Sequence, residues 1–324
     1  PLSRYLMSIL IRKPGIRTAV RDLGRLGYMA AGINPTGAMD TLSTRVVNIL
    51  LGNRENAALL EFGFPAPEIE FEADTAFCIG GSAVDAKLNN VPVSLWKPQK
   101  ASPRDILTLS PTSTGNFAYL AVAGGFDVAE VLGSRTTNLA AGFGGHQGRL
   151  LAAGDRLSFR SPGQSFPNAQ PALGHSLRPQ LADPVRIRIT RGPEYDRLTA
   201  LSEQTLTTET FSVGPNSDPM GFRLTGPRMF SLDETELLSS AATFGTVQLL
   251  PDGGLAALMS DHQTTGGYPR IAVVAAVDLP LLAQLRPGRT FQLELIDVLE
   301  AERLLFDREQ ELRFLKTGLR LARG

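Results

Sequence analysis

The sequence is poor in residues that mark several kinds of site. It has 324 residues but only one cysteine, Cys78, and three histidines. A lone cysteine excludes an intramolecular disulfide and favours a reducing compartment, so we expect a cytoplasmic protein. Cys78 stands among apolar neighbours and is interpreted as a core residue rather than a nucleophile. With so few imidazole and sulfur ligands and no His-x-x-x-His pair, no metal site is predicted.

The sequence also lacks an excess of either charge and any long apolar run. Lys and Arg number 32, as do Asp and Glu, so the formal net charge is zero. No basic surface is expected for nucleic acid or anionic lipid, and neither is predicted as a partner. No run of about 18 apolar residues occurs, so no membrane span is predicted. The first residues show no signal-peptide pattern.

Several motifs of nucleotide and hydrolase sites are absent. There is no P-loop, no dinucleotide-binding glycine pattern between a strand and a helix, and no Gly-x-Ser-x-Gly elbow. A Ser-His-Asp triad stays open, because its members meet in space and not in sequence.

The patterns that are present predict a mainly β protein. Short strands with frequent turns recur between residues 71 and 159, and strict alternation marks 185–189 and 290–295. The chain is long enough for two domains. Residues 161–184 are rich in Pro, Gln, Ala, Gly and Ser, which is typical of a linker. We therefore predict a β domain over 8–160, a linker over 161–184 and a second β domain over 185–324.

Two helices stand out. The first follows Asp40, a good N-cap, and ends at Gly52. Its apolar positions predict one buried face and leave Thr44, Arg45 and Asn48 on the other. The second helix covers about 299–320, with acids at its start and bases at its end, as the helix dipole favours.

Two groups of charged residues each allow two interpretations. Asp22 and Arg25, on either side of Gly24, form a local ion pair, or else Arg25 is aimed at a carboxylate or phosphate. Glu61 is flanked by apolar residues, so it is either desolvated or on the wet face of a strand.

The densest group of functional side chains lies in residues 261–270, directly before the apolar run 271–277. It combines acid, imidazole, amide, phenol and guanidinium groups around Gly266 and Gly267, which permit close approach of the backbone and positive φ. The alternative is a tight turn whose polar groups satisfy the backbone. Together with Arg25, Arg135 and Arg149 in other glycine-rich loops, this loop suits an anionic or amide-bearing small molecule.

Six motifs, in order, resemble one family between Ile9 and Ile296. They are Arg21-Asp22-Leu23-Gly24-Arg25, Thr36 to Asp40, Leu132 to Arg135, Gly144-Gly145 with Gly148-Arg149, Ser217 to Leu224, and Asp261 to Pro269. The chain resembles the allophanate-hydrolase-subunit-2-like proteins, also called biotin-dependent carboxyltransferase-like proteins, which include the C subunit of 5-oxoprolinase. It departs from the family pattern twice: Arg21 stands where the family usually has Gln, and Pro219 where it usually has Arg.

The resemblance implies two cyclophilin-like β-barrel domains with a few short helices and a C-terminal helix. It further implies an ATP-dependent 5-oxoprolinase, which opens the lactam of 5-oxoproline to glutamate. Separate A-like and B-like subunits would complete this enzyme, with ATP bound by the complex at an unknown site and this chain inactive alone. One alternative is a carboxyltransferase subunit of the urea carboxylase type, whose biotin is on another chain because no Met-Lys-Met pattern occurs here. Another is a non-catalytic regulatory partner of the B-like subunit.

For a lactam substrate, the loop residues take specific roles. An acid or imidazole moves a proton or orients water, and donors stabilise negative charge on the carbonyl oxygen. Arginine binds a carboxylate through two hydrogen bonds. We expect the loop to face Arg135 and Arg149 across a cleft between the domains. The predicted catalytic residues are Asp261, His262, Gln263 and Tyr268, and the predicted substrate-binding residues are Arg25, Arg135, Arg149, Gly266 and Gly267.

Limited proteolysis tests the predicted linker. We expect the first cut within 161–184, because exposed segments rich in small and polar residues are the preferred sites of nicking. Mass spectrometry of the first fragments gives the position. A first cut inside 71–159 would contradict the boundary.

Overall fold

The computed structural model of the chain describes residues 7–111, 114–160, 173–233 and 237–323. Its contacts divide the chain into two compact units, each assembled from separate stretches. The first unit comprises 1–25, 40–179 and 310–324, and the second comprises 26–39 and 180–309. Half of the predicted linker, 161–172, lies outside the described residues. The predicted domain limits stay a prediction.

The first unit is built from two antiparallel sheets. One has six strands in the order β11-β1-β4-β9-β6-β7, and the other has five in the order β2-β3-β10-β5-β8. The strands are β1 Ser8–Lys13, β2 Ala19–Arg21, β3 Leu59–Phe62, β4 Glu68–Phe71, β5 Thr75–Gly81, β6 Val84–Leu88, β7 Val91–Pro92, β8 Gln99–Ala101, β9 Ile106–Pro111, β10 Ala118–Val122 and β11 Arg156–Ser158.

A hydrophobic core lies between these sheets. Phe71 of the first sheet stacks on Phe77 of the second, with ring centroids 5.0 Å apart. Cys78 is fully buried in β5, and burial raises the pKa of its thiol far above the usual range. The interpretation of Cys78 as a core residue is confirmed, because a thiol that stays protonated is not a nucleophile.

Helix α1, Thr41–Leu51, has the predicted ends. The Asp40 side chain accepts from Ser43 N at 2.8 Å, and Gly52 has a left-handed φ of 74°. The predicted exposed face was wrong, because Thr44 and Asn48 are both fully buried. Asn48 is tolerated inside because its amide donates to the carbonyl of Ala57 at 2.9 Å.

The second unit is a closed barrel of seven strands in the order β12-β19-β16-β17-β14-β13-β20. Parallel pairing of its first and last strands closes it, with Ile187 opposite Leu293. A two-stranded sheet of β15 and β18 stands apart. The strands are β12 Val185–Arg191, β13 Thr210–Val213, β14 Gly221–Thr225, β15 Ser240–Ala241, β16 Thr246–Leu249, β17 Leu255–Leu258, β18 Thr265–Gly266, β19 Arg270–Val274 and β20 Thr290–Leu295.

The described residues form three further α-helices. They are α2 Ala200–Thr208, α3 Leu279–Ala283 and α4 Val298–Arg323, with short 3-10 turns at Met29–Ala31, His175–Leu177 and Tyr195–Arg197. The predicted C-terminal helix is thus confirmed, and its Leu312, Leu315 and Leu319 are buried in the first unit. The predicted mainly β fold with a few helices is confirmed as well.

Glu61 is desolvated, which settles its two interpretations. It is 3% exposed in β3 and lies 3.4 Å from the Arg21 Nε. Its other oxygen accepts from the Tyr119 hydroxyl at 2.9 Å, and that hydroxyl accepts from Asp40 N at 2.8 Å. Burial and the Glu61 charge raise the pKa of Tyr119 well above its usual value, so the phenol keeps its proton and donates. The four residues link β2, β3, β10 and the start of α1.

Neutralising Glu61 should destabilise the first unit. In Glu61→Gln the buried Arg21 guanidinium loses its counter-charge, which costs about 3 kcal/mol. The measurement is the free energy of unfolding in urea. Glu68→Gln is the control, because Glu68 pairs with the exposed Lys13 and its loss should cost about 1 kcal/mol or less. Equal losses in the two variants would contradict the proposed weight of the buried pair.

Candidate functional site

The polar loop 261–270 connects β17 to β19 in the second unit and contains β18. His262 is its most buried member, with 1% of its surface exposed. The His262 Nδ1 lies 2.6 Å from the Gln263 carbonyl oxygen. A carbonyl only accepts, so Nδ1 carries the proton and Nε2 has the free lone pair. Burial lowers the pKa of His262, so the ring is neutral at physiological pH and suited to accept a proton.

Backbone hydrogen bonds fix the start of the loop. Asp261 N donates to the Pro219 carbonyl at 2.8 Å, and Met259 N donates to the Met220 carbonyl at 3.0 Å. The Asp261 carbonyl in turn accepts from the Asn34 side chain at 3.0 Å. The backbone at Asp261 is therefore held from two directions by contacts that do not involve its carboxylate.

Gly266 and Gly267 let neighbouring residues pack closely against the backbone of the loop. Neither lies in the left-handed region, so the expected use of positive φ was wrong. A Cβ on Gly266 would lie 2.6 Å from the Gln248 Nε2, and one on Gly267 would lie 3.3 Å from the Leu237 carbonyl oxygen. Gly266 belongs to β18, which pairs with β15. A side chain at 266 would therefore displace Gln248 or the neighbouring strand.

Gln248 is a buried amide beside this loop. It is 2% exposed, and its Nε2 donates to no group of the residues that the structure describes. An unsatisfied buried donor costs free energy, so its presence next to Gly266 and Gln263 makes it a candidate contact for a bound carbonyl or carboxylate.

Arg270 closes the loop onto the barrel. Its guanidinium makes two hydrogen bonds to Glu194, at 2.9 and 2.7 Å, and a third to the Ala241 carbonyl at 2.8 Å. The Arg270 side chain lowers the pKa of Glu194, so the pair stays ionised. Tyr268, two residues earlier, is 46% exposed, and its ring is open to solvent or a ligand.

In the first unit, Arg149 already has a carboxylate partner. Its two terminal nitrogens bind the two Asp155 oxygens at 2.7 and 2.8 Å. These bonds lower the pKa of Asp155 to about 2. Asp155 also accepts from Ala152 N at 2.7 Å, so Arg149 fixes the turn before β11. A substrate carboxylate would have to compete with Asp155 for this guanidinium.

Arg25 and Asp22 each bind other groups. Arg25 is fully buried, donates to the Val131 carbonyl at 3.0 Å and lies 4.6 Å from the centre of the Phe143 ring. Asp22 accepts from Ser134 Oγ at 2.7 Å and from Arg135 N at 2.6 Å. Both residues therefore hold loop 131–143 in place.

Arg135 lines a cavity. The cavity has a volume of about 570 Å³, lies in the first unit and is also lined by Arg54 and Arg160. The Arg135 guanidinium donates to Glu130 at 2.7 Å, and both side chains are exposed. Surface pairs such as Arg135–Glu130 are weak, so Arg135 can exchange partners.

The substrate-binding roles of Arg25, Arg135 and Arg149 stay predictions, as do the catalytic roles of the loop residues. The same holds for the expectation that the loop faces Arg135 and Arg149 across a cleft. Within the residues that the structure describes, no group of three His, Cys, Asp or Glu side chains is placed to hold a metal. No described helix is long and apolar enough to cross a membrane.

Comparison with known proteins places the whole arrangement in a family. The family model of the carboxyltransferase domain, subdomains A and B, matches residues 31–295. The chain belongs to this carboxyltransferase family. The resemblance seen in the motifs is thereby confirmed, and α4 lies beyond the matched region.

Relatives of this carboxyltransferase-family chain include two kinds of protein. The C subunit of 5-oxoprolinase from Haemophilus influenzae is 37% identical over 293 residues, which is 89% of this chain and 91% of the relative. The Escherichia coli protein of the same name is 40% identical over 281 residues, which is 86% and 88% of the two chains. The crystal structure of K. lactis urea amidolyase matches with a TM-score of 0.89 at 28% identity, over 97% of this chain but only 20% of that one.

Sequence reasoning about this carboxyltransferase-family chain missed Gln248 and Glu194. Gln248 lies in a short apolar strand, where a polar residue signals either a partner or a ligand. That signal was available from the sequence. For Glu194, nothing in the neighbouring sequence indicates a pair with Arg270, which is 76 residues away.

The buried His262 should make stability depend on pH. The pKa of His262 is lower in the folded chain than its ordinary value of about 6.5. The folded chain is therefore most stable above pH 6.5, where His262 is neutral, and this stability is lost as the pH falls through the folded pKa. We expect the melting temperature of the wild type to fall more between pH 7.5 and pH 5.5 than that of His262→Asn. Asparagine keeps a donor for the Gln263 carbonyl but cannot be protonated.

His262→Gln is the matched second variant, since glutamine also carries an amide donor and cannot be protonated. It should show the same weaker pH dependence as His262→Asn. Curves of both variants parallel to that of the wild type would show that the His262 imidazole is not the titrating group.

Proposed function

We propose that this chain is the C subunit of a 5-oxoprolinase, an ATP-dependent amide hydrolase that opens 5-oxoproline to glutamate with A-like and B-like subunits in the cytoplasm. One observation carries the proposal: the chain is 37% identical to a 5-oxoprolinase C subunit along 91% of that subunit's length. The match leaves little of the relative without a counterpart here.

The loop 261–270 has the groups that lactam opening requires. The substrate offers an amide carbonyl, on which negative charge develops, and a carboxylate. Neutral His262, with its Nε2 lone pair, suits proton transfer, and Asp261 suits orientation of water. Gln263, Tyr268 and the backbone of Gly266 and Gly267 would supply donors to the developing charge. The Gln248 amide nitrogen, which has no hydrogen-bond partner among the described residues, adds a donor beside the loop.

ATP supplies the free energy for opening a stable lactam. The sequence has no P-loop to cradle its phosphates, so we assign no ATP-binding motif to the loop described above. Accordingly, we propose that the chain alone does not turn over 5-oxoproline.

A carboxyltransferase role of the urea carboxylase type is the second candidate. The fold match to urea amidolyase, with a TM-score of 0.89, favours it. The biotin would then be on another chain. The two candidates differ in substrate, because one consumes 5-oxoproline and the other carboxylates urea.

Reconstitution with the A-like and B-like subunits tests the proposal. We expect ATP-dependent glutamate release from 5-oxoproline, no ATP consumption with urea, and no turnover by the chain alone. Asp261→Asn and Arg149→Lys should each lower turnover by about two orders of magnitude, the scale of a lost acid–base or charge-stabilising group. Size-exclusion chromatography should show that the subunits still assemble.

Two further variants separate chemistry from structure. Asp196→Asn is the matched carboxylate control in the same unit. The Asp196 side chain is 92% exposed, and its ion pair with Arg191, at 3.8 Å, is a weak surface contact. It should leave turnover unchanged. Asp155→Asn removes the partner of Arg149; if it lowers turnover as much as Arg149→Lys, Arg149 acts only through the Asp155 turn. Unchanged turnover in Asp261→Asn would contradict the role of the loop.

A further inference from the structure

A groove in the first unit has more positive than negative charge. It has a volume of about 890 Å³ and lies among α1, the loop that follows it and the C-terminal part of α4. Its charged lining residues are Arg45, Arg54, Glu55, Lys316 and Arg320. Four cationic side chains therefore share one carboxylate.

That carboxylate is already engaged. Glu55 accepts from Arg45 Nε at 2.5 Å and from Lys316 Nζ. Arg54 and Arg320 are exposed, and neither side chain has a hydrogen bond or ion pair within the described part of the chain. Two guanidinium groups thus remain for a ligand.

The pKa of Lys316 reports the positive charge at the groove. Burial, followed by the charges of Arg45 and Arg320, lowers the pKa of Lys316. Glu55, although bonded to Lys316, does not offset these effects. An anion in the groove would relieve the repulsion among the cations.

The rest of the lining is not charged. Leu23, Ile49 and Leu319 are apolar, while Asn53 and Asn56 add amide groups. The volume lies within the range of about 300–1,000 Å³ that is usual for small-molecule sites. A ligand that fills this groove therefore has an apolar or aromatic part as well as negative charge.

We propose that this groove binds an organic phosphate with two or more negative charges, of the size of a nucleoside diphosphate. Arg54 and Arg320 bind phosphate oxygens in pairs, as guanidinium geometry allows, and the leucine and isoleucine side chains contact the organic part. Lys316, Leu319 and Arg320 all lie after residue 295, where the family match ends. The α4 part of the groove therefore lies outside the region that the family model matches, whereas the α1 part lies within it.

Binding to the isolated chain tests the proposal by calorimetry, with ADP, pyrophosphate and adenosine as probes. ADP should bind more tightly than either of the other two, because it alone uses both parts of the groove. Its affinity should fall at least tenfold in the double variant Arg54→Gln/Arg320→Gln, and it should weaken as salt is raised.

Arg313→Gln is the matched control, since Arg313 is exposed on α4 but does not line the groove. It should bind ADP as the wild type does, and circular dichroism should show that all variants are folded. No ADP binding at millimolar concentration, or equal binding by the double variant, would overturn the proposal. Pyrophosphate that binds as tightly as ADP would overturn the organic part of it. Because no turnover is measured, these results are independent of the proposed function.

Discussion

In the first unit, one buried carboxylate constrains the elements around it. Glu61 is shielded from water, so its charge is tolerated only while Arg21 and Tyr119 are both in place. Arg21 also donates to the Thr137 carbonyl at 2.9 Å, and Tyr119 accepts from the backbone of Asp40. The start of α1, three strands and a distant loop thus depend on the same charge.

In the second unit, a partly exposed ion pair fixes the polar loop. Arg270 binds Glu194 and the Ala241 carbonyl, which fixes the end of the polar loop on the barrel and beside β15. At the other end of the loop, the N–H and the carbonyl of Asp261 are both hydrogen-bonded. These two anchors hold the loop without the side chains of His262, Gln263 or Tyr268, as a site on a rigid scaffold requires.

The sequence predicted local features well and long-range ones poorly. Asp40 as a cap and Gly52 as a helix end depend on a few neighbouring residues, so they were predictable. The burial of Asn48 was not, because its partner is the Ala57 carbonyl of a loop that folds back on the helix. The state of Glu61 depends on Arg21, 40 residues earlier, and on Tyr119, 58 residues later.

The candidate site shows the same limit. Its loop was recognisable from the crowding of functional groups, whereas the reason for Gly266 was not, since the Gln248 side chain that excludes a Cβ comes from another strand. The arginines were identified as a group, yet Arg25 is buried and Arg149 is paired with Asp155. Residue type alone does not distinguish an arginine that binds substrate from one that binds its own chain.

Arg21 and Pro219, the two departures from the expected family motifs, lie where the surrounding contacts accommodate them. Pro219 occupies the second position of the turn Asp218–Gly221, where proline is favoured, and it is the carbonyl of residue 219 that receives Asp261 N. That contact needs no side chain, so the loop keeps its anchor without an arginine there. At position 21 the change adds a charge instead of removing one, and the adjacent Glu61 carboxylate balances it. A glutamine at 21 could keep a hydrogen bond but would remove this counter-charge from a buried carboxylate, so in this chain Arg21 and Glu61 are best regarded as one unit.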